Sequence, residues 1–192
     1  MRKQGEKLND KNGIPSIDQL IRTTMRTVGM DIELKQTHTG INMSYNFILN
    51  YLGYDVHRIG EAIKEMQVPV PLESYIKAFT LHELGHALDR KALMESLPKT
   101  IQYYEIKKAH NLNELYSDYT LLAMLIEEHE MNIGFEETAW ANAEKLNREF
   151  GIVDGESFDK VKNQGMSTYM NFYEKDVQLY NRLIAEQTVQ SA

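Results

Sequence analysis

At 192 residues the chain has the length of one domain and enough apolar residues to bury a core without staples. It contains no cysteine, which excludes disulfides, thiol nucleophiles and thiolate metal sites. The net charge of −7 argues against the basic surface of a general nucleic-acid binder, and no apolar run is long enough to span a bilayer. No apolar segment comes after the basic residues at the start, so the expectation is a cytoplasmic protein with neither a membrane nor a nucleic-acid partner.

Residues 1–13 are charged and end on the turn signal Asn12-Gly13; they read as a loose arm on a single domain spanning 1–192. Pro15 suits a first helical turn, and Ile17, Leu20, Ile21, Thr24 and Val28 recur at helical spacing up to Gly29. Residues 31–35 are a short strand candidate. Ile41, Met43, Tyr45, Phe47, Leu49 and Tyr51 alternate with mostly polar residues, which predicts a half-buried strand over 41–51, long enough that part of it could bend or turn helical. Beside a metal-binding helix, such a strand could receive an extended peptide by strand addition.

Residues 58–66 read as a short helix, and Val68-Pro69-Val70-Pro71 must be extended because each residue before a proline is pushed out of the α region. A helix from Pro71 or Leu72 to about Ser96 is predicted to stop at Leu97-Pro98, with a variable connection over 98–111 after it that could turn helical from Tyr103 to Lys108. A strongly periodic helix covers 111–130 and breaks at Gly134. A further helix over 136–150 is centred on Trp140, Ala143 and Leu146, and 157–187 is a last helix or pair divided at Gly165. The expected class is α+β, a small N-terminal sheet and then a mainly helical C-terminal half.

His82-Glu83-Leu84-Gly85-His86 lies within the helix that begins at Pro71 or Leu72. Residues four apart share a helix face, so the two imidazoles can bind one zinc ion, with Glu83 in reach of a water on it. Gly85 costs helix stability, roughly 1 kcal/mol against alanine, which implies that something approaches the backbone closely there. The third ligand must be sought among carboxylates downstream. Glu105 and Glu114 are the serious candidates, and context favours Glu114, which opens a strongly patterned helix in Asn113-Glu114-Leu115-Tyr116-Ser117-Asp118. Asp118, one turn on, could accept a hydrogen bond from the distal nitrogen of a ligating histidine, and Asn113 could hold the other. Tyr103, Tyr104 and His110, with Tyr116 behind them, are candidates to stabilise an oxyanion. His38, His57 and His129 read as surface or packing residues.

The segment 82–86 together with 113–118 resembles the gluzincin metallopeptidases of the thermolysin-like clan, whose pattern is HExxH and then NExxSD. The resemblance covers those two segments. It implies a zincin-like fold in which His82, His86 and Glu114 bind zinc, Glu83 is the general base, and Asp118 and Asn113 orient His82 and His86. The gap between the segments is longer than in thermolysin. In size the chain is similar to compact single-domain forms, the ImmA/IrrE-type peptidases and lethal-factor-like catalytic domains. The resemblance therefore implies a zinc metalloprotease that cuts a protein substrate with a zinc-activated water. The alternative is a catalytically silent zincin-fold module that binds a partner.

Overall fold

In the computed structural model, which describes residues 15–190, Ser16 opens the first helix. Its hydroxyl accepts from the Gln19 backbone N–H while the Gln19 side chain accepts from the Ser16 N–H. This reciprocal capping box satisfies two donors that a helix start leaves free. Helix α1 (Ile17–Thr27) then buries Leu20, Ile21, Thr24 and Met25. The arm expected over 1–13 lies outside the described residues.

Three short strands come next: β1 (Glu33–Gln36), β2 (Met43–Asn46) and β3 (Tyr51–Tyr54). β3 is central, parallel to β1 and antiparallel to β2. The single strand expected over 41–51 is therefore a hairpin. Asn46 Oδ1 accepts from the Leu49 N–H at 2.8 Å, and Asn50 takes a left-handed φ of 55°. Asparagine tolerates both roles better than most residues, so the polar row supplied the turn instead of a solvated strand face. Arg90 anchors the turn from outside, its Nε donating to the Phe47 carbonyl at 2.8 Å.

Asp55 caps α2 (Val56–Ala62), which tightens into a 3-10 turn (Ile63–Glu65). Helix α3 (Leu72–Leu88) comes next and is enclosed over most of its length: Tyr75, Ile76, Ala78, Thr80, Leu81, His82, Glu83, Leu84 and Gly85 are all buried, and the Glu73–Lys77 ion pair meets solvent near its start. It is packed by α1, β2, α6 and α7. It ends at Leu88, not near Ser96, because Asp89 turns the chain into α4 (Arg90–Ala109). α4 runs through Pro98, replacing both the expected stop and the expected connection over 98–111. Ion pairs from Lys99 to Glu127 and Lys107 to Glu128, each 2.6 Å, fasten it to α6.

After the short α5 (Leu112–Ser117), α6 (Tyr119–Phe150) passes Gly134 unbroken, and α7 (Gly155–Gln190) passes Gly165 unbroken. At 1.5 Å per residue these helices are about 48 and 54 Å long. Gly151, left-handed at φ 61°, closes α6. The main core gathers Ile21, Leu52, Ile76, Leu81, Leu84, Trp140, Phe158 and Val161. A smaller cluster of Leu115, Leu122 and Leu125 against Leu179 and Leu183 joins α5 to the outer reaches of α6 and α7. The molecule is α+β, and no helix among the described residues is long and apolar enough to cross a membrane.

Helix α3 crosses α6 in close contact. A Cβ at Gly85 would land on the backbone carbonyl of Ala139, and Asn142 Nδ2 donates to the Gly85 carbonyl at 3.2 Å. Gly134, by contrast, has nothing within 4 Å of its missing Cβ. Gly134→Ala should therefore stabilise the protein by about 0.5–1 kcal/mol, whereas Gly85→Ala should destabilise it by about 3 kcal/mol. Denaturant unfolding of the two variants checks both signs.

Candidate metal centre

His82 and His86 leave one face of α3 a turn apart, and α6 brings a single carboxylate between them. Glu136 Oε2 is 3.1 Å from His82 Nε2, and its Oε1 is 3.3 Å from His86 Nε2. Potential ligand atoms of the three residues all lie within 4.8 Å of one another, the one such group among the described residues. Donors arranged tetrahedrally at 2.0–2.1 Å from zinc stand about 3.3 Å apart. Two imidazoles and a carboxylate at these separations fit a zinc ion, and they would leave a fourth position for a water or substrate.

Without a metal the three groups hold one another. Burial alone would raise the Glu136 pKa, but hydrogen bonds and charge from His82 and His86 together bring it down to about 2. Burial alone would lower the His86 pKa; the bond to Glu136 and the charges of Glu83, Glu136 and Asp89 outweigh it, and the net shift is upward. Glu83 is raised, mainly because burial disfavours its charged form, despite the nearby histidines and a hydrogen bond from the Tyr45 backbone N–H.

The cluster lines a groove of about 520 Å³. Strand β2 supplies one side with Met43, Ser44 and Tyr45, and α7 supplies another with Gln164, Thr168 and Tyr169. The ion pair of Arg58 with Glu65, two contacts of 2.9 and 2.6 Å, also lines it. β2 is an edge strand. Its register pairs Ser44 with Gly53 and Asn46 with Tyr51, and the Asp55 N–H donates to the Asn42 carbonyl. Alternate residues of an antiparallel strand turn their backbone groups outward, so Met43 and Tyr45 direct their carbonyls to the outer edge, while the Met43 N–H donates to Asn42 Oδ1 at 2.8 Å. Tyr169 lines the groove near Glu136; burial of the phenol pushes its pKa up, and the negative charge of the carboxylate adds to the effect. It is a neutral donor at the mouth of the cluster.

Of the residues singled out in the sequence, His82, Glu83 and His86 come together here. Glu114 does not. It is exposed, and its carboxylate accepts from the Asn111 backbone N–H at 3.0 Å while Asn111 returns the bond, a capping box at the start of α5. Asp118 caps α6 through the Thr120 and Leu121 N–H groups, and Asn113 is exposed on α5. Glu105 is exposed on α4. None of these residues lines the groove.

The expected oxyanion donors are displaced as well. Tyr103 is buried in α4 beside Lys99, Tyr104 is exposed with Lys108 over its ring, and His110 pairs with Glu114 at 3.4 Å. Tyr116 is exposed on α5 and also lies outside the groove.

Glu136 had a signal in the sequence, although a different kind from a motif. It stands three residues before Ala139, the small residue that meets Gly85, and seven before the buried Ala143. No protein-family model, curated protein or solved structure matches the chain.

Two measurements check the donor set. Glu136→Ala should lose zinc on equilibrium dialysis, while Glu114→Ala keeps it. A carboxylate with a depressed pKa stabilises the fold above its unfolded value, about 4.3 for glutamate, and loses that contribution as pH falls through the folded one. Thermal melts of the metal-free protein should therefore show a loss of stability between about pH 5 and pH 2, and Glu136→Gln should flatten it.

Proposed function

We propose that the chain is a zinc-dependent endopeptidase of zincin-like fold and gluzincin type, with Glu136 as the third protein ligand. One observation carries the reading: His82, His86 and Glu136 converge in a groove that also holds the Glu83 carboxylate and runs beside the free edge of β2. The proposal keeps the protein substrate and the cytoplasmic location expected from the sequence.

When bound, zinc would lower the pKa of a coordinated water toward about 7 and polarise a substrate carbonyl. The chain's own residues do the rest. An extended peptide adds to β2 through the outward carbonyls of Met43 and Tyr45, which aligns the scissile bond with the cluster. Glu83, its pKa raised by burial, takes the proton of the attacking water and returns it to the leaving amine. A base whose pKa is shifted toward the working pH performs both transfers better than an ordinary carboxylate. Tyr169, a protonated phenol beside Glu136, donates to the oxyanion that forms on the substrate carbonyl.

Glu83→Gln should retain zinc while hydrolysis of a mixed peptide library falls about 10²–10⁴-fold; unchanged turnover removes Glu83 as the base. Tyr169→Phe should lower kcat about 10²-fold with KM little changed. A loss confined to KM would instead make Tyr169 a binding residue.

A further inference from the structure

His82 is more than nine-tenths buried, and its Nδ1 has no hydrogen-bond partner among the described residues. A metal-ligating histidine nearly always donates its second N–H to a carboxylate, carbonyl or water, which orients the ring. A carboxylate one helical turn after the ligand glutamate would be well placed for that duty, the place Asp118 would have filled behind Glu114. One turn after Glu136 stands Trp140.

Its indole lies against the His82 ring with centroids 4.2 Å apart and an interplanar angle of 22°. The indole is itself immobilised. Phe79 and Phe158 meet it edge-on, each at 5.8 Å between centroids. On α7, Gly165 leaves it room: a Cβ there would be 3.1 Å from Trp140 Cζ2.

We propose that Trp140 is a positioning residue that holds His82 in its ligating orientation by stacking, in place of a hydrogen-bonding second partner. The proposal rests on the metal-centre reading above. A π face suits the task because an imidazole bound to a cation carries positive charge, and indole attracts positive charge more strongly than the other aromatic rings. Stacking restrains the tilt of the ring while Nε2 stays directed at Glu136. Any ring of similar flatness can do this, and an aliphatic residue of similar volume lacks the face.

Trp140 is the only tryptophan of the chain, so its emission reads the stack directly. Zinc titrated into the metal-free full-length protein should change tryptophan emission and saturate at one equivalent. Zinc affinity, measured by competition with a chromophoric chelator, should stay within about threefold of wild type in Trp140→Phe. In Trp140→Leu it should weaken about 10–100-fold, with circular dichroism showing the fold retained. A folded Trp140→Leu that binds zinc as tightly as wild type overturns the proposal and leaves the metal centre standing. Wild-type emission that does not move at saturating zinc also overturns it, and that measurement needs no variant to fold. Wild-type protein that takes up no zinc overturns the stacking role and the metal centre together.

Discussion

The contact of Gly85 with the backbone of Ala139 sets the distance between α3 and α6, and the centre depends on that distance. Side chains that meet across two helices need the axes close enough, and a larger side chain at either position would push them apart. Glu136, Ala139, Trp140 and Ala143 share one face of α6 at spacings of three, four and seven. Once Ala139 seats on Gly85, Glu136 falls between the two histidines and Trp140 falls on the His82 ring. A single close approach thus delivers both the carboxylate and the aromatic support.

Three ionisable groups buried together would be unfavourable separately, since an unpaired charge away from water is strongly penalised. Here the carboxylate bridges both imidazoles, which is why the Glu136 pKa is depressed although burial pulls it the other way. The same arrangement leaves the His82 Nδ1 without a partner among the described residues, and the flat surface of Trp140 covers one face of the ring. Rigidity comes from packing on one side and ion pairing on the other. The groove lies between β2, an edge strand, and the stretch of α7 around Gln164, Thr168 and Tyr169.

Helix capping and metal ligation draw on the same residue types, and that overlap explains why Glu114 was expected beside the two histidines. A glutamate three residues after an asparagine closes a capping box, and an aspartate before a helix satisfies its first N–H groups. Asn111, Glu114 and Asp118 do both jobs at the starts of α5 and α6, and in one dimension they look like a ligand segment. The hairpin was hidden in a similar way. Alternation of apolar and polar residues ran on through residues 47–50, where Asn46 and Asn50 in fact make the turn.

Local chemistry was legible from the chain itself. The spacing of His82, Glu83 and His86 places one set of side chains on one helix because helical geometry is a property of neighbours. The α+β order of elements and the need for a close backbone approach at Gly85 were legible for the same reason. The identity of the carboxylate was a different matter. Glu136 stands fifty residues beyond His86, and no spacing rule connects two helices whose relation is set by packing. Gly134 and Gly165 likewise read as breaks, since glycine's cost is local, while burial along α6 and α7 overrode it. Only the tertiary structure, by seating Ala139 on Gly85 and Trp140 on His82, decided which of many acidic side chains stands between the two histidines.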